Sequence, residues 1–152
     1  MTTGKKLGDT KRKVLIICTG NSCRSQMAEA FVNMELGDEW QAFSAGIKPS
    51  RLNRRAVQVM AELGIDISGQ HTKSLDEFLT LRDLDLVITV CDQARDSCPV
   101  FPGNTEQVHI AFDDPAPFTD EPDEIALPVF RRVRDEIREK LLDFLKNRKI
   151  RN

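Results

Sequence analysis

The chain has 152 residues and a formal net charge of −2, with 40% hydrophobic and 30% charged residues. Those are ordinary values for a single globular domain, and so balanced a charge excludes nonspecific nucleic-acid or membrane binding as its main role. No window approaches the roughly 18 consecutive apolar residues of a membrane span, and any anionic ligand would need a local positive site.

Residues 1–11 are polar and lysine-rich and read as a flexible N-terminal tail, or else a partner-docking arm, ahead of a single domain at 12–150. The tail has no apolar core of the length a signal peptide needs, so a cytoplasmic location is expected. In that compartment the four cysteines are expected to be redox-active, catalytic or metal-binding rather than structural disulfides.

Strand and helix signals alternate. Val14–Ile17 is a continuous apolar run, the pattern of a strand buried on both faces. From Ser25 on, Met27, Ala30, Phe31 and Met34 fall at helical spacing until Gly37. Gln41–Ser44 reads as a second strand. Asn53 can cap a helix carrying Ala56, Val59, Met60 and Leu63, with Gly64 ending it. Ser74 and Glu77 form a capping-box pattern that opens a short helix toward Leu81.

"DLVITVC", from Asp85 to Cys91, is the clearest strand, and a fourth is expected at Val108–Phe112. An irregular stretch should run from Pro115 to about Leu127. Last comes a long amphipathic helix through Phe130, Val133, Ile137, Leu141, Phe144 and Leu145, with Pro128 in its first turn. Strands separated by helices predict a four-stranded parallel sheet with helices on both faces.

In open sheets of this class, ligands bind beyond the carboxyl ends of the strands. Cys18 falls there, in "CTGNSCRSQMAEA". The amides of a loop through Thr19, Gly20, Asn21, Ser22 and Cys23, joined by those of a helix start, make a nest for a tetrahedral oxyanion. Gly20 and Asn21 best tolerate the positive φ that a tight loop tends to need. Arg24 adds a fork for two oxygens, and Ser25, Ser22 or Thr19 can donate to the Cys18 sulfur.

The same field favours thiolate over thiol. A free cysteine has a pKa of about 8.5, and lowering it by about two pH units takes roughly 2.7 kcal/mol, within reach of several N–H donors and an arginine. A cysteine at a buried strand end is more often a small hydrophobe; the Cys-x5-Arg spacing across a strand–helix turn favours the nucleophile. No Gly-x4-Gly-Lys pattern is present, so this is not a nucleotide P-loop. Cys23 has no assigned task.

This segment resembles the low-molecular-weight protein tyrosine phosphatase family, and more closely its thioredoxin-coupled arsenate reductase branch. "SAGI" at Ser44–Ile47, "GIDIS" at Gly64–Ser68, "HT" at His71–Thr72, "DLVITVC", Cys98-Pro99, "FDDPA" at Phe112–Ala116 and "RRVRDEI" at Arg131–Ile137 extend the likeness over about residues 13–146. The resemblance implies a fold of that family with flavodoxin-like winding. It implies that Cys18 attacks arsenate, that Arg24 and the loop amides of Thr19 to Ser25 hold its oxygens, and that Asp114 protonates the departing oxygen. Asp113 is its neighbour and the alternative.

The resemblance further implies that Cys91 attacks Cys18, releasing arsenite and leaving a Cys18–Cys91 disulfide, and that Cys98 then moves the disulfide to Cys91–Cys98. Thioredoxin would restore the dithiol, with no tightly bound cofactor. If residues 92–98 are helical, Cys91 and Cys98 stand about 10 Å apart, beyond the roughly 7 Å a disulfide spans, so the segment must unwind. Buried structural cysteines and a metal pair are the competing readings; six intervening residues are not the usual zinc spacing. Some relatives hold potassium through an asparagine, a glutamate, a serine and an aspartate. Asn21, Glu29 and Ser44 match the first three, while Ser74 stands where the aspartate would, implying a weak potassium site at most.

His71 and His109 read as structural. The expected substrate is arsenate, with phosphate or sulfate as analogues, and the expected state is a monomer. The rival reading is a phosphatase acting on phosphotyrosine or small phosphate esters. Against it stand the Cys91/Cys98 pair and a segment after the Asp-Pro whose one aromatic residue is Phe118, in a chain with no tyrosine. A third reading is a redox-sensing or oxyanion-binding protein that partners a regulator.

Overall fold

The computed structural model describes residues 11–103 and 105–148, so all of the expected tail except Lys11, and the last two residues of the expected domain, lie outside the described residues. Ten elements follow one another: β1 (Arg12–Cys18), α1 (Arg24–Glu35), β2 (Trp40–Gly46), α2 (Arg54–Ala61), a 3-10 turn (Leu75–Phe78), β3 (Leu86–Thr89), α3 (Asp92–Ser97), β4 (Glu106–His109), a second 3-10 turn (Ala116–Phe118) and α4 (Asp123–Lys146).

The strands form one parallel sheet in the order β2-β1-β3-β4. Val14, Leu15, Ile16 and Ile17 are all fully buried although alternate side chains point to opposite faces, and all of β3 is buried too. Both faces of the central strands are therefore covered, as an all-parallel sheet requires. At the edge, β4 is only half-buried. Helices α1 and α2 both pack against α4, whose inner stripe of Phe130, Val133, Ile137, Leu141 and Leu145 is fully buried. No helix among the described residues is long and apolar enough to cross a membrane.

Local signals behave as their chemistry dictates. The Asn53 side chain accepts from the amides of Arg55 and Ala56 to start α2, and Gly64 follows the helix at φ +77°. The box of Ser74 and Glu77 closes on the first 3-10 turn.

Three boundaries differ from expectation. The strand from "DLVITVC" ends at Thr89, so Cys91 becomes the cap of α3 rather than a strand residue. β4 lies at Glu106–His109, not Val108–Phe112. Its pairing with β3, from Leu86↔Glu106 to Thr89↔His109, sets the register, and Phe112 is buried beyond the strand. An edge strand needs an apolar pattern on one face only, so the apolar signal at Val108, Ile110 and Phe112 overshoots.

α4 begins at Asp123, and Pro128 lies inside it rather than in its first turn. The missing N–H and the ring typically cost about 3 kcal/mol in a helix interior. Asp123 and Glu124 favour the early start through the helix dipole, and burial of Ala126 and Phe130 on either side of the proline offsets its cost. The stretch expected to be irregular is thus a 3-10 turn and the head of a helix. Arg55, itself buried, ties it down by donating to the carbonyls of Thr119 (3.1 Å) and Glu121 (2.8 Å).

Candidate active site

The order in which strands are added reverses between β1 and β3, because β2 lies on one side of β1 and β3 on the other. Ligand crevices form at such switch points. The register pairs Ile17 with Thr89, so Cys18, the last residue of β1, with its loop, and Cys91, two residues past β3, emerge side by side.

Peptide geometry gives the loop its character. The carbonyls of Thr19, Gly20 and Ser22 are drawn outward by the amides of Lys48 (2.8 Å), Ser50 (2.9 Å) and Asn53 (2.8 Å). In a trans peptide the following N–H points the opposite way, which turns the amides of Gly20, Asn21 and Cys23 inward. The Asn21 amide donates to Cys18 Sγ at 3.2 Å, and Ser25 Oγ lies 2.9 Å from the same sulfur. Cys18 is 2% exposed. Cys23 caps α1 without a side-chain hydrogen bond, leaving the leading amides of the helix to a ligand.

Asn21 holds the loop's shape. It takes φ +53° and is fully buried, a conformation that Asn tolerates better than most residues. Its Nδ2 donates to Ser25 (2.7 Å) and Ser44 (3.0 Å), while its Oδ1 accepts from Gln26 Nε2 (3.1 Å) and the Lys73 amide (2.9 Å). Gly20, the other residue expected to need positive φ, does not take it; its lack of a side chain serves close approach instead, since a Cβ would stand 2.8 Å from Ser50 Oγ. Gly46 ends β2 against the loop, and a Cβ there would meet Asn21 N and Thr19 O, each at 2.9 Å.

Arg24 is nearly buried. It donates to the Phe112 carbonyl at 3.1 Å and lies 3.6 Å from the Asp114 carboxylate. Asp114 is about half exposed, and one of its oxygens accepts from the Ala116 amide at 3.0 Å. Asp113 instead pairs with Arg132 at 3.1 Å. A cavity of about 310 Å³ opens between Arg24, Cys91, Asp92, Phe112 and Asp114. A wider trough of about 850 Å³ beside Glu35, Arg138 and Asp143 is lined by no cysteine, serine or threonine.

All four cysteines are free. Cys91, 7% exposed, accepts from the Ala94 amide as the cap of α3 and lies 3.2 Å from Thr19 Oγ1, which also contacts Gln93. Thr19 therefore reaches the second thiol rather than the first, and Ser25 is the hydroxyl that Cys18 receives. Cys98 is half-buried at the far end of α3, and burial raises its pKa. Cys23 is buried, and desolvation together with the nearby Cys18 and Asp114 pushes its pKa well up, with Arg24 opposing. A group so reluctant to ionise suits a structural place.

The potassium trio does converge: Asn21 donates to Ser44, and Ser44 donates to Glu29 at 2.5 Å. It does not fit a cation. Asn21 presents NH2 to the trio because two donors hold its oxygen, Ser74 Oγ is spent on the Asp76 amide, and the Lys73 ammonium lies 3.7 Å from Glu29. Among the described residues no group of three or more His, Cys, Asp or Glu could hold a metal. His71 contributes its carbonyl to Gln26 and Lys73, and His109 joins Thr89 (2.7 Å) to Asp92 (3.1 Å).

Sequence reasoning passed over Gln26, Ser50, Gly46, Gln93 and Lys73. Gln26 is fully buried and holds Asn21 and His71 together. Its signal was available: a polar residue one turn into a helix, on a face that the neighbouring loop must cover.

The fold and this arrangement define a class, a parallel α/β protein with a Cys-x5-Arg loop at its switch point. The chain belongs to the low molecular weight phosphotyrosine protein phosphatase family, whose profile matches residues 13–151. It is 50% identical over 134 residues to an arsenate reductase of Halalkalibacterium halodurans, covering 88% of this chain and 95% of that one. The crystal structure of a low molecular weight protein tyrosine phosphatase from T. tengcongensis superposes with a TM-score of 0.72 at 29% identity, over 91% of this chain and all of the other. A thioredoxin-dependent arsenate reductase of Corynebacterium glutamicum gives 0.61 at 25% identity, over 91% of this chain and 64% of its own.

Proposed function

We propose that the chain is an arsenate reductase working through Cys18, Cys91 and Cys98. The observation that carries this reading is the placement of a second thiol, Cys91, at the next strand end, joined to the Cys18 loop through Thr19. Arsenate enters the loop, where the inward amides and Arg24 hold its oxygens. Cys18 Sγ bonds to arsenic, and an arsenate oxygen leaves as water after taking a proton from Asp114, the carboxyl beside Arg24. Cys91 then attacks Cys18 Sγ. The S–S bond forms, the S–As bond breaks, and its electron pair stays on arsenic, which leaves as arsenite.

Cys98 attacks Cys91 Sγ next and frees Cys18. Helix α3 separates the two sulfurs, at about 1.5 Å per residue, so it must unwind for them to meet. The resulting exposed disulfide suits an external dithiol, and thioredoxin is the donor favoured by the resemblance and by the Corynebacterium relative. Cytoplasmic, monomeric operation completes the proposal.

The rival is phosphate-ester hydrolysis, which needs Cys18, Arg24 and Asp114 alone. Comparing the parent with Cys91→Ser and Cys98→Ser separates them. Both variants should lose thioredoxin-driven arsenate turnover by at least about 10³-fold while keeping aryl-phosphate hydrolysis. Catalytic arsenate reduction by Cys91→Ser would sink the relay.

A further inference from the structure

Beyond the reading above, and resting on its loop though not on its redox step, we propose that Lys73 is a positioning residue whose ammonium acts as a built-in monovalent cation, fixing the Cys18 loop through Glu29, Ser44 and Asn21. Glu29 is largely buried, on α1, and its carboxylate accepts the Ser44 hydroxyl. A buried carboxylate needs a counter-charge. Lys73 supplies it at 3.7 Å, its side chain equally covered, and donates to the His71 carbonyl at 3.0 Å.

The consequence reaches the nucleophile by a continuous chain. Neutralised Glu29 can hold Ser44 as an acceptor, which leaves the Ser44 lone pairs for Asn21 Nδ2. Asn21 Nδ2 also donates to Ser25 Oγ, which touches Cys18 Sγ. Lys73 acts from both ends, because its backbone amide fixes Asn21 Oδ1 and its carbonyl accepts from Gly46 at the end of β2. Its neighbour Ser74 bridges to the same glycine. An ammonium carried on the chain needs no ion from solution, and it supplies the positive charge that Glu29 requires at a site whose Asn21 NH2 and engaged Ser74 hydroxyl offer nothing to a free cation.

The test compares the parent, Lys73→Gln and Lys73→Arg in potassium chloride and in choline chloride at matched ionic strength. The readouts are the melting midpoint, inorganic-phosphate affinity and aryl-phosphate kcat and KM. The parent and Lys73→Arg should behave identically in the two salts. Lys73→Gln should melt about 2–4 °C lower and bind phosphate roughly tenfold more weakly in both salts, because the Asn21 NH2 and the engaged Ser74 hydroxyl leave no ligand set for potassium once the ammonium is gone. Its aryl-phosphate kcat should fall with the phosphate affinity, and Lys73→Arg should keep both. Lys73→Gln indistinguishable from the parent, or Lys73→Arg as impaired as Lys73→Gln, overturns the proposal. A parent that bound no phosphate would instead refute the oxyanion loop, and the melting comparison would still decide the role of Lys73.

Discussion

The loop from Cys18 to Arg24 and the segment from Cys91 to Cys98 both begin at a strand end and both open a helix with a cysteine, yet they are built to opposite specifications. In the first, each outward carbonyl has a partner, Asn21 spends its whole side chain on four neighbours, and two glycines admit close approach. In the second, α3 is six residues long, with Ala94 its one buried member, and its N-terminal end is held by a thiol cap and an exposed aspartate. Anion binding rewards a shape fixed in advance, because ordering is then complete before the ligand arrives. The relay proposed above would instead be served by a segment that opens at low cost.

The sharpest way to break the contrast is to loosen the stiff region. Asn21→Ala removes the acceptor for Gln26 and the Lys73 amide, and the donors for Ser25 and Ser44, and it puts Ala at φ +53°. Buried groups left without partners cost about 1–3 kcal/mol, and a left-handed non-glycine residue about 1–2 more. The variant should lose on the order of 3 kcal/mol, read by urea denaturation, and aryl-phosphate turnover should fall at least tenfold. A loss below about 1 kcal/mol would mean that the loop is not held by this network.

How much of this was legible follows the same division. Cys18, Arg24 and the strand before them were readable, because an apolar run, a turn and a helix start are local signals. So was the capping box at Ser74. Most of the partners that make the loop rigid were not: Ser50, Gly46 and Lys73 lie elsewhere in the chain, and nothing local distinguishes a glycine that ends a strand from one a loop leans on, whereas Gln26 was readable as a polar residue at the start of α1. Of the three hydroxyls expected near Cys18, Ser25 is the one that reaches it, while the fold brings Thr19 within 3.2 Å of Cys91 instead. Pro128 misled, since tertiary burial outweighed a local rule at α4.

Thiol reactivity sharpens the comparison further. Burial raises the Cys98 pKa and raises that of Cys23 far more. A raised pKa means less thiolate at any pH below it, so alkylation of folded Cys98 should keep climbing beyond pH 8.5, where an exposed cysteine is already half ionised. Near pH 7.5 its rate constant should sit below that of the urea-unfolded chain, and Cys23 should stay unmodified while the fold persists. Mass-spectrometric counting of carbamidomethyl groups per cysteine checks both. A Cys98 rate equal in folded and unfolded chains would show that α3 already opens freely in the resting protein.

The mildest perturbation is to α3 itself. Asp92 is the first residue of α3, and its exposed carboxylate accepts from His109 Nε2 at 3.1 Å. It also complements the helix dipole. Asp92→Ala removes both, yet such exposed end contacts are together worth about 0.3–1 kcal/mol, so global stability should change by no more than about 1 kcal/mol. The same few tenths fall on the local opening of α3, where they multiply the open population two- to fivefold at about 1.4 kcal/mol per decade. Oxidation of the reduced protein by a small disulfide, followed by mapping of Cys91–Cys98, should therefore run two- to fivefold faster in Asp92→Ala. An unchanged rate, with global stability also unchanged, would place the latch on α3 elsewhere, at the contact of Thr19 with Cys91 and Gln93 that ties the moving segment to the fixed loop.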